Sequence, residues 1–225
     1  MNTLETILKS IQNVKVIDDS VNTKYYTPLD LSVSNSFFSK QEISASADFE
    51  EFIEKYLAKE NSQVAYGGYN EKRNLYKRSA AFNGSKTEER NIHIGLDLWI
   101  RAGTPVLTAL DGTIHSFKHN VGLGDYGPTI ILKHHIENQI FYTLYGHLSL
   151  ESIRGIEIGS AFKKGQKLAT LGNSAINGDY SPHLHFQIIK NIGANFGDYP
   201  GVCSRNDLDY YLENCPDPNL LLKIK

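Results

Sequence analysis

Apolar positions divide this chain of 225 residues into two textures. Near the start, Leu4, Ile7, Leu8 and Ile11 recur at i, i+3, i+4 and i+7, the spacing of one helix face. Residues 21–46 follow with much Ser, Thr and Asn and weak periodicity. The segment SADFEEFIEKYLAKEN then places Phe49, Phe52, Ile53, Tyr56 and Leu57 on one face, with acidic residues early. It predicts a second helix packed on the main body, with Ser44 or Ser46 as its cap. From about Thr104 the pattern changes to short β-branched and aromatic runs separated by glycine-containing turns. TIILKHH and IFYTLYGHL flank IENQ and read as a hairpin, and Asp111-Gly112 is a turn dipeptide. Runs spaced this way predict an antiparallel β-domain. The tail CPDPNLLLKIK predicts a terminal segment docked on the body.

Composition narrows the class. With 40% hydrophobic and 21% charged residues the chain is globular. A chain of this length buries roughly 70–75% of its unfolded surface, so it needs no disulfides to fold. Lys and Arg number 23 against 25 Asp and Glu, a net charge of −2 that argues against a nucleic-acid or anionic-membrane binder. No apolar run approaches the ~18–20 residues of a membrane-spanning helix. The start has no basic region, long apolar core or cleavage site, so the pattern predicts a cytoplasmic chain, or an exported one if Met1 heads a trimmed sequence. Cys203 and Cys215 match no zinc motif and read as two thiols, or as a short-loop disulfide in an exported protein.

Eight histidines carry the chemical signal. In SPHLHFQI, His183 and His185 share one face of a β-like run, because strand side chains repeat every two residues. They read as a structural pair, as two ligands sharing a metal, or as one ligand beside a residue acting on substrate. In NIHIGLDLW, read as one strand, His93, Gly95 and Asp97 share a face, and Gly95 leaves room for an ion or a backbone. Imidazole and carboxylate are both ordinary zinc ligands, and a hydrogen-bonded His–Asp pair is the alternative. His147 ends the apolar run TLYGHLS.

Taken in order, HIGLD, LYGHLS and PHLHF, with GTPVLTALDGTI, GDYGPTIILKH and KKGQKLATLGNS around them, resemble the M23 family of zinc metallopeptidases, the lysostaphin-type or LytM-like peptidoglycan endopeptidases. The resemblance covers roughly residues 91–190. It implies a mainly β fold, an antiparallel barrel or sandwich-like core with the N-terminal helices outside it. It implies one Zn²⁺ per chain on His93, Asp97 and His185, with His147 and His183 as catalytic histidines beside the metal-activated water. Three protein ligands leave a fourth position open, as catalytic zinc requires. The implied function is zinc-dependent peptide-bond hydrolysis, with a peptidoglycan cross-link or stem peptide as substrate and partner, in a bacterial cell wall. The alternatives are a cytoplasmic peptide substrate and a non-catalytic binding module on the same fold.

Other positions stay open. Tyr76 is a candidate for oxyanion assistance, by resemblance. Arg73, Lys77 and Arg78 either meet a substrate carboxylate or form a solvated basic face. Asn173, Asn177 and Tyr180 lie in a loop that either touches peptide backbone or packs only on itself. His115, His119, His134 and His135 read as surface or edge residues. The expected organisation is an N-terminal extension over 1–68, a peptidase-like domain over 69–200 and a docked tail over 201–225. A segment of the extension plugging the site is a further expectation.

Overall fold

A computed structural model of the chain describes residues 2–35, 45–73 and 89–225. Helix α1 (Leu4–Ser10) opens it, capped by the Thr3 hydroxyl on the Thr6 N–H. Strand β1 (Tyr26–Pro28), helix α2 (Ser46–Lys59), β2 (Val64–Gly67), β3 (Glu71–Lys72), β4 (Ile92–His93) and β5 (Leu96–Trp99) follow. The body then adds β6 (Pro105–Leu107), β7 (Gly112–Asn120), β8 (Gly127–Ile136), β9 (Gln139–Gly146), β10 (Ala161–Phe162), β11 (Lys167–Thr170) and β12 (His183–Ile189). Strand β13 (Val202–Cys203), helix α3 (Leu208–Asn214) and helix α4 (Asn219–Leu222) complete it.

Eight strands form the main sheet in the order β1-β2-β5-β12-β9-β8-β7-β10. Every pairing is antiparallel except β1 with β2. The expected hairpin is β8–β9, closing at Ile136↔Gln139. The fold is mainly β, as expected, with a large antiparallel sheet; no closed barrel forms among the described residues, since β1 and β10 stand at opposite edges. Strands β13-β4-β3 form a small second sheet and β11-β6 a third.

The pleat of the main sheet separates two interiors. One face carries Leu96, Leu98, Leu184, Phe186, Ile188, Tyr145, Ile130 and Leu132 in a large aliphatic core, closed by α1 and α4 through Leu4, Leu8, Leu221 and Leu222. The other face is covered at one end by a smaller core of Ile94, Leu144, Ile189, Tyr199, Cys203, Leu208 and Cys215. Near Trp99 it is covered by Phe49 and Ile53 of α2. The polar cluster described below lies on this second face. Both cysteines are free and buried.

The N-terminal residues do more than flank this body. Strands β1 and β2 extend the main sheet beside β5, which the weak periodicity of 21–46 did not signal. Helix α2 begins at Ser46, but Ser46 does not cap it: its hydroxyl donates to Asp179, 133 residues away. Ser44 lies outside the described residues. No described helix is long and apolar enough to cross a membrane.

Candidate metal centre

Register brings the first polar groups together. On β12, His183 and His185 alternate with Leu184 and Phe186 and face away from the aliphatic core. His185 pairs with Asp97 of β5 on one side and with Gly146 of β9 on the other. His93 arrives differently. It does not continue the Asp97 strand, as the sequence suggested, but belongs to β4 of the small sheet. The chain leaves that sheet at Ile94–Gly95 and enters β5, so His93 comes down onto the face that Asp97 looks out from. Gly95 does leave room, and the His185 imidazole fills it: a Cβ at Gly95 would collide with that ring.

Three atoms converge. His93 Nε2 lies 2.9 Å from His185 Nδ1 and 3.3 Å from Asp97 Oδ1, and His185 Nδ1 lies 3.1 Å from the same oxygen. All three residues are 2% exposed. The opposite ring nitrogens are already engaged. His93 Nδ1 is 2.9 Å from the Gly68 carbonyl, and His185 Nε2 is 3.0 Å from Gln187 Oε1. The Gln187 amide is itself oriented, because its NH₂ donates to the Pro200 carbonyl and to Cys215 Sγ. These partners assign the tautomers: each ring donates outward and turns a lone pair inward. Burial pushes His93 down to about 4, so it is neutral at pH 7. Burial would raise the Asp97 carboxyl, but His93 and the Arg73 guanidinium beside it hold it well below the usual carboxylate range.

Two inward lone pairs and a carboxylate oxygen at hydrogen-bond distance repel one another unless a cation lies among them. The donor set therefore fits a divalent ion. Ligands at ~2.0–2.1 Å from a tetrahedral ion are roughly 3.3 Å apart, the scale of the separations here. Among the contacting side chains, Asp97, Glu71 and Arg73 sum to one negative charge, which also suits a cation. Arg73 is 2% exposed and donates to Asp97 Oδ2 at 2.6 Å and to Glu71 Oε2. It is neither a solvated basic residue nor one open to a substrate carboxylate. Its place is behind the cluster.

His147 and His183 form the other half. Their rings are 4.1 Å apart, and His183 Nε2 is 3.9 Å from Asp97 Oδ1. Each donates Nδ1–H to a backbone carbonyl at 2.8 Å, Asn177 for His147 and Ser181 for His183. That leaves both Nε2 lone pairs toward the groove. Burial lowers both imidazoles, His147 well below its ordinary value, where His183 adds to the effect. His147 adopts a left-handed backbone, φ 60°, which costs about 1–3 kcal/mol in a non-glycine residue. Its N–H to the Tyr126 carbonyl and its carbonyl to the Gly172 N–H hold it there.

These five residues line a groove of about 460 Å³ walled by Phe49, Trp99, Tyr126 and Tyr180. Tyr126 and Gln187 were not singled out by the sequence. Tyr126 packs on both His147 and His185, and its hydroxyl is 3.4 Å from His185 Nε2. Gln187 continues the two-residue period of His183 and His185, a signal that was available. Tyr180 stands edge-on to both His147 and His183. Asn177 acts through its carbonyl, and Asn173 is exposed in the turn before it, away from the groove lining. Tyr76 and Arg78 lie outside the described residues. His134 is fully buried, not at the surface: it is 2.8 Å from the Asp111 carbonyl and 2.7 Å from Thr143 Oγ1.

Comparison with known proteins agrees with this chemistry. Residues 91–195 match the model of peptidase family M23. A protein of Haemophilus influenzae described as an uncharacterized metalloprotease is 35% identical over 95 residues, 42% of this chain and 18% of that protein. One of the same description from Buchnera aphidicola is 30% identical over 117 residues, 50% of this chain and 28% of its own length. The chain thus spans less than a third of these relatives. The catalytic domain of lysostaphin from Staphylococcus simulans is 22% identical with a TM-score of 0.41, over 67% of this chain and 92% of that domain.

Proposed function

Residues 91–195 match the model of peptidase family M23, and from that match we propose that this chain is a zinc-dependent endopeptidase of peptidoglycan cross-links or stem peptides. The observation that carries the proposal is the convergence of His93 Nε2, His185 Nδ1 and Asp97 Oδ1, each turned inward by a partner on its far side. In this reading those three hold one Zn²⁺ and His147 and His183 act on substrate.

A bound zinc ion would supply Lewis acidity, polarising the scissile carbonyl, acidifying a water and facing with positive charge the oxygen that becomes negative. The protein supplies the rest. Asp97 presents one oxygen inward while Arg73 occupies the other, so the carboxylate cannot rotate. His147 and His183 are neutral, with Nε2 free and Nδ1–H tied to backbone. One accepts the proton of the attacking water and passes it to the leaving amine. The other turns its Nε2 lone pair to the groove as a second acceptor that orients the water. The aromatic walls exclude water from the reacting atoms and give an extended peptide apolar surface to lie on.

The test begins with zinc content by elemental analysis after one equivalent is added to chelator-free protein. About one zinc per chain is expected, lost in His93→Ala. His147→Ala and His183→Ala should keep the metal and lower kcat by ~10²–10⁴-fold on cross-linked muropeptides. Protein that takes up no zinc overturns the proposal. Cleavage of an unrelated linear peptide in preference to muropeptides overturns its substrate.

A further inference from the structure

Resting on the catalytic roles just proposed, we infer that α2, which precedes the family-matched residues, holds both non-ligand histidines in place, with Ser46 and Phe49 as positioning residues. The contact is made twice, from two residues three positions apart at the start of one helix. Ser46 is 8% exposed, and its hydroxyl donates to Asp179 Oδ1 at 2.5 Å. Asp179 sits two residues beyond Asn177, whose carbonyl fixes His147 Nδ1. The segment between them is tightly folded. The Tyr180 N–H returns to Asn177 Oδ1 at 3.0 Å, the Asp179 N–H to the Ser174 carbonyl at 3.1 Å, and Gly124 N–H meets the Gly178 carbonyl at 2.8 Å. A pull on Asp179 is therefore transmitted to the carbonyl that sets the His147 tautomer. One turn along, Phe49 is buried in the cluster that holds Trp99, and the Trp99 ring stacks on His183 at 5.8 Å and 25°.

The physical need is clear. A base on a loop is only as well aimed as the acceptor that holds its N–H, and a small misplacement of a reacting group costs up to ~10²-fold in rate. The 173–181 segment is a loop, while α2 is a fourteen-residue helix anchored by Phe49 and Ile53. The Ser46 hydroxyl is spent on that loop and not on capping its own helix. An α2 that plugged the groove would act in the opposite sense, since its removal from the site would raise the rate.

The experiment uses the full chain. Ser46→Ala, Phe49→Ala and the conservative Ser46→Thr are compared with wild type for zinc stoichiometry, kcat, KM and the exchange rate of the His147 Nδ1–H proton by NMR. Ser46→Ala is expected to lower kcat by roughly 10-fold or more with KM and zinc content unchanged. It should also speed exchange of the Nδ1–H proton, and Ser46→Thr should restore both. Phe49→Ala should lower kcat as well, and raise KM because Phe49 also walls the groove. Unchanged kcat together with unchanged exchange in Ser46→Ala overturns the inference, and so does a rise in kcat/KM. Should wild type neither bind zinc nor cleave, the proposed function has failed, and the exchange measurement alone still decides whether Ser46 holds His147.

Discussion

The two faces of β12 are buried to nearly the same depth and do opposite things. Leu184, Phe186 and Ile188 are 0% exposed in the aliphatic core, while His183, His185 and Gln187, interleaved with them, are 0–6% exposed. On the first face burial itself stabilises, at roughly 25 cal/mol per Å² of apolar surface removed from water. On the second, burial costs free energy for every polar atom and is tolerated only because each is tied. Gln187 is held by Pro200 and Cys215, His185 by Gln187, His183 by the Ser181 carbonyl, and Asp97 by Arg73. The same strand thus supplies stability from one side and a dry, pre-oriented site from the other, where charge interactions are stronger than in water.

That contrast can be broken from either side. The largest effect is expected from His185→Ala, which should abolish both zinc binding and hydrolysis while unfolding by heat stays cooperative; retained zinc would remove His185 from the ligand set. Phe186→Ala, one residue along, should cost about 3–5 kcal/mol in denaturant unfolding and leave zinc stoichiometry unchanged in the folded fraction. If instead it releases the metal with little loss of stability, the two faces are not separable.

A subtler comparison is His134, a histidine on the aliphatic face held by the Asp111 backbone carbonyl and the Thr143 hydroxyl. Burial holds it at about 4, against an ordinary 6.5. Above pH 6.5 it is neutral folded or unfolded and contributes nothing. As pH falls below 6.5 the unfolded chain takes up the proton first, so stability drops, by about 3 kcal/mol once pH 4 is reached. His134→Gln should flatten the stability–pH curve between those values, and an unchanged slope would refute the assignment. The smallest effect is predicted for Gln187→Leu, which removes the acceptor of His185 Nε2–H. Zinc affinity in a competition titration should weaken by ~10–100-fold with the site still formed. Wild-type affinity would show that His185 needs no such support.

Part of the polar cluster was legible in the sequence. The two-residue period of a strand puts His183 and His185 on one face whatever the strand pairs with. Its extension to Gln187 was equally available. The HIGLD element was legible as chemistry but not as geometry, because a strand of period two and a chain that crosses between sheets at a glycine place His93 and Asp97 on a common face alike. The buried state of Arg73 and His134 was not legible: a guanidinium or an imidazole looks the same in sequence whether water or a carboxylate surrounds it. Strand β1, three residues with the parallel β2 as its sheet neighbour, was too short to leave a period.

By itself the sequence determined the mainly β character, the β8–β9 hairpin, the helices near both ends of the first 60 residues, and an ordered set of His and Asp residues resembling a metallopeptidase. All of these rest on local periodicity or on residue type in order, and both are properties of the chain read one residue after another. The tertiary structure alone decided which nitrogen of each imidazole faces inward, that Arg73 stands behind Asp97, and that α2 reaches across to Asp179. Each of those depends on a partner brought from elsewhere in the chain, at 24 residues' separation for Arg73 and Asp97 and 133 for Ser46 and Asp179. Such partners meet only because burying two apolar cores fixes where every strand must lie.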